Sequence, residues 1–123
     1  MKKFLATSLL LIFAAMLYAQ GNKSVTITGN LIDNACAESA KDLDAKAKNH
    51  STSCAVMDSC ETSGYAVYVD HKLYKLDEKG NSSAAELLKN TKTAKGVRVS
   101  VEGTVEGDTI HVTKLTEVTA ATN

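Results

Sequence analysis

Residues 97–115 read Val97-Arg98-Val99-Ser100-Val101-Glu102-Gly103-Thr104-Val105-Glu106-Gly107-Asp108-Thr109-Ile110-His111-Val112-Thr113-Lys114-Leu115. Val97, Val99, Val101 and Val105 alternate with polar residues around Gly103, the pattern of a strand with one buried face. Glu106-Gly107-Asp108 turns the chain back. Ile110 and Val112 then hold the inner phase of a second strand that runs to Leu115.

Upstream, Asn81-Ser82-Ser83-Ala84-Ala85-Glu86 starts a helix, with Ser83 and Glu86 at capping-box spacing. Leu87 and Leu88 supply its buried side, and Gly96 lies past its end. Tyr65 to Val69 and Leu73 to Leu76 are β-rich runs split by Asp70-His71-Lys72, which predicts a hairpin. Val25 to Leu31 alternates with period two, and Gly29 on its apolar phase permits a bulge or bend. The order is strand, long insertion, strand, strand, helix, strand, strand. It predicts a mainly β chain with one or two short helices: an OB-like five-stranded barrel with a helical Cys-rich insertion between the first two strands. A β-sandwich is the alternative, but it usually needs more strands than this chain supplies.

The chain opens with Lys2 and Lys3, then an apolar run from Phe4 to Met16, then Leu17-Tyr18-Ala19 with small Ala19 at the cleavage position. These are the three parts of a secretory signal peptide, and the run is shorter than the roughly 20 apolar residues that span a bilayer. The expectation is an exported protein, periplasmic or extracellular, with residues 1–19 removed and residues 20–123 forming a single domain. Losing Lys2 and Lys3 leaves 12 of the 14 basic residues against 14 acidic ones. A net charge near −2 gives no electrostatic reason to bind nucleic acid, and no membrane span is expected after cleavage. Both phenylalanines fall in the signal and there is no tryptophan, so the core must be aliphatic.

The insertion, residues 34–62, holds all three cysteines. Ala37 to Lys48 has helix-forming composition with Leu43 as its single large apolar residue, so it predicts a short, mostly solvated helix. Continuous helix over residues 50–61 would put His50, Cys54 and Met57 within a stripe of about 60°, with Cys60 about 60° beyond. With Cys36 folded across, imidazole, thiolate and thioether form a soft ligand set suited to copper(I), or to zinc if Met57 only packs. Two other readings stand beside it. Any two of Cys36, Cys54 and Cys60 pair as a disulfide that fastens the insertion, stabilising by about 2–4 kcal/mol. Otherwise the odd thiol serves redox or intermolecular chemistry.

The chain resembles a family of small exported bacterial proteins with a Cys-rich first half and an OB-like second half. The resemblance is carried by Ile32-Asp33-Asn34-Ala35-Cys36, His50, Cys54-Ala55-Val56-Met57, Cys60, Ser63-Gly64-Tyr65, Lys72 to Asp77, Gly80-Asn81, Leu87-Leu88 and Val101 to Val105. It implies the architecture and the importance of the cluster, and no activity. More distantly, the element order resembles periplasmic OB-fold proteins that bind small ligands or other proteins.

Three functions follow. The first is a non-enzymatic binding module whose insertion carries a copper or zinc site made from Cys36, His50, Cys54, Met57 and Cys60. The second is a disulfide-stapled interaction domain that takes a protein or glycan on its barrel face. A thiol oxidoreductase is the third and weakest, because Cys54 and Cys60 are not a CxxC pair. His71 and His111 read as surface residues without a nucleophile beside them, and Tyr65, Tyr68 and Tyr74 as half-buried strand residues.

Overall fold

The alternation in residues 97–115 becomes a hairpin in the computed structural model, which describes residues 23–119. The expected signal peptide, residues 1–19, and the tail at 120–123 lie outside the described residues. The strands are β1 (Ser24–Asp33), β2 (Tyr65–Val69), β3 (Lys72–Leu76), β4 (Arg98–Glu106) and β5 (Thr109–Glu117). β1 is antiparallel to both β2 and β4, β2 to β3, and β4 to β5. β3 meets β5 in parallel through only Lys75↔Thr109 and Leu76↔Ile110. The sheet is therefore mixed, and its strands close on themselves in the order β1-β2-β3-β5-β4.

Local chemistry explains the connections. Asp70 (φ 50°) and His71 (φ 61°) form the two-residue turn between β2 and β3, both in the left-handed region that such turns demand. The bulge falls at Glu102/Gly103 in β4, not at Gly29. Gly29 keeps regular register with Val99, at the point where β1 passes from pairing with β4 to pairing with β2. A Cβ at Gly29 would collide with the Tyr68 carbonyl oxygen.

The inner phase of the ring is aliphatic apart from Tyr65 and the partly buried Tyr74. Leu31, Val67, Val99, Val101, Ile110 and Val112 are buried there, closed off by Ala84, Ala85 and Leu88 of a helix spanning Glu78–Asn90. That helix starts earlier than the Ser83–Glu86 spacing predicts. Asp77 caps it, its Oδ1 accepting the Gly80 N–H at 2.9 Å, and Ser83 and Glu86 lie within the helix.

The insertion between β1 and β2 is helical, as expected, but broken into four pieces. They are α1 (Asn34–Ser39), α2 (Leu43–Asn49), α3 (Thr52–Ala55) and α4 (Asp58–Ser63), which makes the Glu78–Asn90 helix α5. The single helix expected over Ala37–Lys48 is interrupted because Asp42 caps a new start, accepting the Ala45 N–H. Helix over residues 50–61 is interrupted because Met57 is extended (φ −64°, ψ 146°). Ile32, Ala37, Ala47 and Tyr68 form a second small core that packs the insertion on the outer face of the ring. Among the described residues, no helix is long and apolar enough to cross a membrane.

Candidate metal centre

The site begins with a carboxylate. Asp33 ends β1, is fully buried, and caps α1 by accepting the Cys36 N–H on Oδ2 at 2.9 Å. Its Oδ1 lies 2.6 Å from His50 Nε2, and His50 is 5% exposed. An ionised carboxylate can only accept, so the imidazole donates Nε2–H. Burial alone would raise the Asp33 pKa. The Cys36 N–H and His50 outweigh it, and the carboxyl is held below its usual range.

Each cysteine comes from a different helix. Cys36 lies in α1, Cys54 in α3 and Cys60 in α4. α3 is capped by Ser51, whose Oγ accepts the Cys54 N–H at 3.2 Å. It is anchored to the segment before β4, where the Thr52 N–H donates to the Ala94 carbonyl at 2.9 Å and Thr52 Oγ1 donates to the Thr93 carbonyl at 2.6 Å. From inside the ring, Tyr65 Oη donates to the Ala55 carbonyl at 2.7 Å. α4 is held against α1, where Asn34 Nδ2 donates to the Ser63 carbonyl at 2.9 Å and the Ala35 N–H to Ser63 Oγ at 3.1 Å.

These anchors bring the three thiols together. All three cysteines are free, and their sulfurs lie within 4.8 Å of one another. Cys36 Sγ and Cys54 Sγ are 4.0 Å apart. Asp33, Cys36 and His50 form a second group within the same limit, so Cys36 belongs to both. Cys60 is buried, and Cys36 and Cys54 are half-buried. Burial, followed by the Asp33 charge, pushes the Cys36 thiol up to about 12 and moves Cys60 in the same direction. A metal ion would therefore have to displace protons from these sulfurs.

The five residues singled out in the sequence thus separate. Cys36, Cys54 and Cys60 converge. His50 stands beside them through Asp33 and Cys36, but not on a helical stripe with Cys54, because it precedes α3 and caps the end of α2. Met57 joins α3 to α4 and is 56% exposed. Asp33 is the residue missed as part of the site. Its signal was an acidic residue closing an apolar strand three positions before Cys36, the spacing of a helix cap.

The remaining candidates sit on the surface or in the core. His71 and His111 are exposed, His111 within 2.9 Å of Glu106. Tyr65 and Tyr68 are buried and Tyr74 partly so. Two surface clefts of about 680 and 530 Å³ flank α2, and none of the three cysteines lines either. No protein-family model, curated protein or solved structure matches the chain, so the chemistry of the centre rests on its own atoms.

Proposed function

We propose that this chain is an exported, non-enzymatic binding module that holds a soft metal ion, copper or zinc, in its insertion. The observation that carries the proposal is the convergence of Cys36, Cys54 and Cys60 from three helices onto one point. Thiolate sulfur selects copper(I) and zinc over hard cations. Asp33 and His50 stand behind the thiols as the hydrogen-bonded support that metal sites generally need. The cyclic strand order, with α5 between the third and fourth strands, supports reading the ring as an OB-like barrel with the site on its first connection. The signal-like residues 1–19 support export.

The test is metal analysis of the chain purified without a histidine tag from an exporting host. A single copper or zinc ion per chain, lost in Cys54→Ser, is the expected result. A folded, metal-free protein that takes up neither ion would overturn it.

A second reading is favoured by the Cys36–Cys54 separation of 4.0 Å, since a modest rotation would allow the two to bond. Cys60 would then remain a thiol and the domain would serve as a stapled surface for a protein or glycan. Thiol counting and intact mass on the exported protein separate the two. One disulfide with one free thiol supports the staple, and three metal-protected thiols support the metal. Exchange catalysis is the weaker alternative, because the raised Cys36 and Cys60 thiols are poor sources of thiolate.

A further inference from the structure

We infer that the ion is monovalent copper, held in three-coordination by the sulfurs of Cys36, Cys54 and Cys60 with no fourth protein ligand. This inference rests on the metal reading above and names the ion.

Ligand number is the first argument. Among the described residues, the thiol group contains three donors and no histidine or carboxylate. The nearest histidine, His50, shares a group only with Asp33 and Cys36, and its Nε2 is already engaged at 2.6 Å by Asp33 Oδ1. With Nε2–H donating to Asp33, only Nδ1 is left to face an ion, and His50 does not join the group of three sulfurs. Structural zinc closes its shell with four protein ligands, and this centre offers three.

Distance is the second argument. Three sulfurs about 2.3 Å from a central ion in one plane are separated by about 4.0 Å, and four in a tetrahedron by about 3.8 Å. The Cys36–Cys54 edge is 4.0 Å and no sulfur pair exceeds 4.8 Å. A planar trio needs only a small contraction of the longer edges. Ligand softness points the same way. An all-sulfur, low-coordinate set without nitrogen or oxygen donors suits monovalent copper best among common metals. On loading, each thiol that becomes a ligand gives its proton to solvent, and the copper stays in the monovalent state throughout.

The experiment uses the full exported chain, reduced and metal-stripped, titrated with copper(I) from a competing chelator and separately with zinc(II). Native mass spectrometry reads stoichiometry, and X-ray absorption reads the donor atoms. The expected result is a single copper(I) with three sulfur neighbours, which displaces bound zinc, and an unchanged sulfur shell in His50→Gln. A nitrogen donor in the shell, a two-sulfur copper site, or zinc retained against equimolar copper(I) overturns the inference while leaving a metal-binding module intact. Binding of neither ion overturns both.

Discussion

Asp33 Oδ1 and His50 Nε2 lie 2.6 Å apart, with the Asp33 side chain fully buried and the His50 side chain 2% exposed. The pair joins the end of β1 to the chain between α2 and α3. Asp33 also caps the helix that carries Cys36, and the His50 carbonyl accepts the Gly96 N–H at 3.0 Å. One carboxylate therefore fixes the approach of the Cys36 helix and of the segment leading to Cys54. Together with the contacts of Ser63, Thr52 and Tyr65, that anchoring brings the three sulfurs together.

His50→Ala removes the partner of a buried carboxylate and is expected to cost about 3–5 kcal/mol. His50→Gln keeps a donor within reach of Asp33 and should cost clearly less. Denaturant unfolding of the metal-free protein measures both. In the variant that folds, copper affinity should fall by about 10–100-fold, since a support behind the ligands has been altered and not a ligand itself. Wild-type stability in His50→Ala would show that the pair contributes nothing.

The lowered Asp33 pKa has a defined consequence in acid. A carboxyl depressed in the folded state contributes stability above its unfolded value of about 4, and loses it as pH falls through the lower folded value. Metal-free wild type should therefore lose stability below about pH 4 more steeply than Asp33→Asn. Urea midpoints followed from about pH 7 to pH 2 give the comparison. Parallel acid limbs in the two proteins would remove Asp33 as a source of the dependence.

Period-two alternation made the strands legible, because a strand buried on one face must alternate, and Val99, Val101, Ile110 and Val112 do so. The Asp70-His71 turn and the single core helix were legible for similar reasons. The insertion was less so. Its helices bury little, mainly Ala37, Ala47, Ala55 and Cys60, so no apolar period marks their limits. Asp33, Asp42 and Ser51 set those limits as caps, and a polar residue in a polar stretch does not announce that role. The convergence of Cys36 with Cys54 and Cys60 depends on tertiary anchoring through Ser63, Thr52 and Tyr65, which spacing along the chain does not encode.

The start of α5 offers a simple test of capping. Asp77→Ala removes the acceptor for the Gly80 N–H and should destabilise by about 1 kcal/mol, within a range of 0.5–2. Ser83→Ala, inside the same helix, should be neutral or slightly stabilising, because alanine is the better helix former. Thermal or urea unfolding ranks the two. The opposite ranking would move the cap back to Ser83.

Gly29→Ala places a methyl group against the Tyr68 carbonyl, where β1 changes partner and neither backbone can retreat without breaking ladder hydrogen bonds. Overpacking of this kind costs about 1–3 kcal/mol. Gly107→Ala meets no atom within 4 Å and strains only its positive φ of 63°. It should therefore cost less, about 1 kcal/mol. Equal losses at the two sites, read by urea unfolding, would mean that backbone conformation and not strand contact governs Gly29.

Tyr65 links the ring to the thiol cluster, because its hydroxyl reaches through the core to the Ala55 carbonyl, one residue from Cys54. Burial, with the charges of Glu61 and Asp33 behind it, pushes its phenol up to about 12. In a spectrophotometric titration its tyrosinate should appear later than those of ordinary tyrosines. Tyr65→Phe keeps the ring packing and deletes the one hydrogen bond. The Ala55 carbonyl is left short of a donor, at a cost of about 1–3 kcal/mol. If that bond also sets where α3 stands, Tyr65→Phe weakens copper binding although it touches no sulfur. Removal of Tyr68 Oη, which reaches Asp44 at 3.3 Å on the other side of the sheet, should leave copper binding unchanged. A Tyr65→Phe protein with full copper affinity would show that Ser51, Thr52 and the Asp33–His50 pair suffice to hold Cys54 in place.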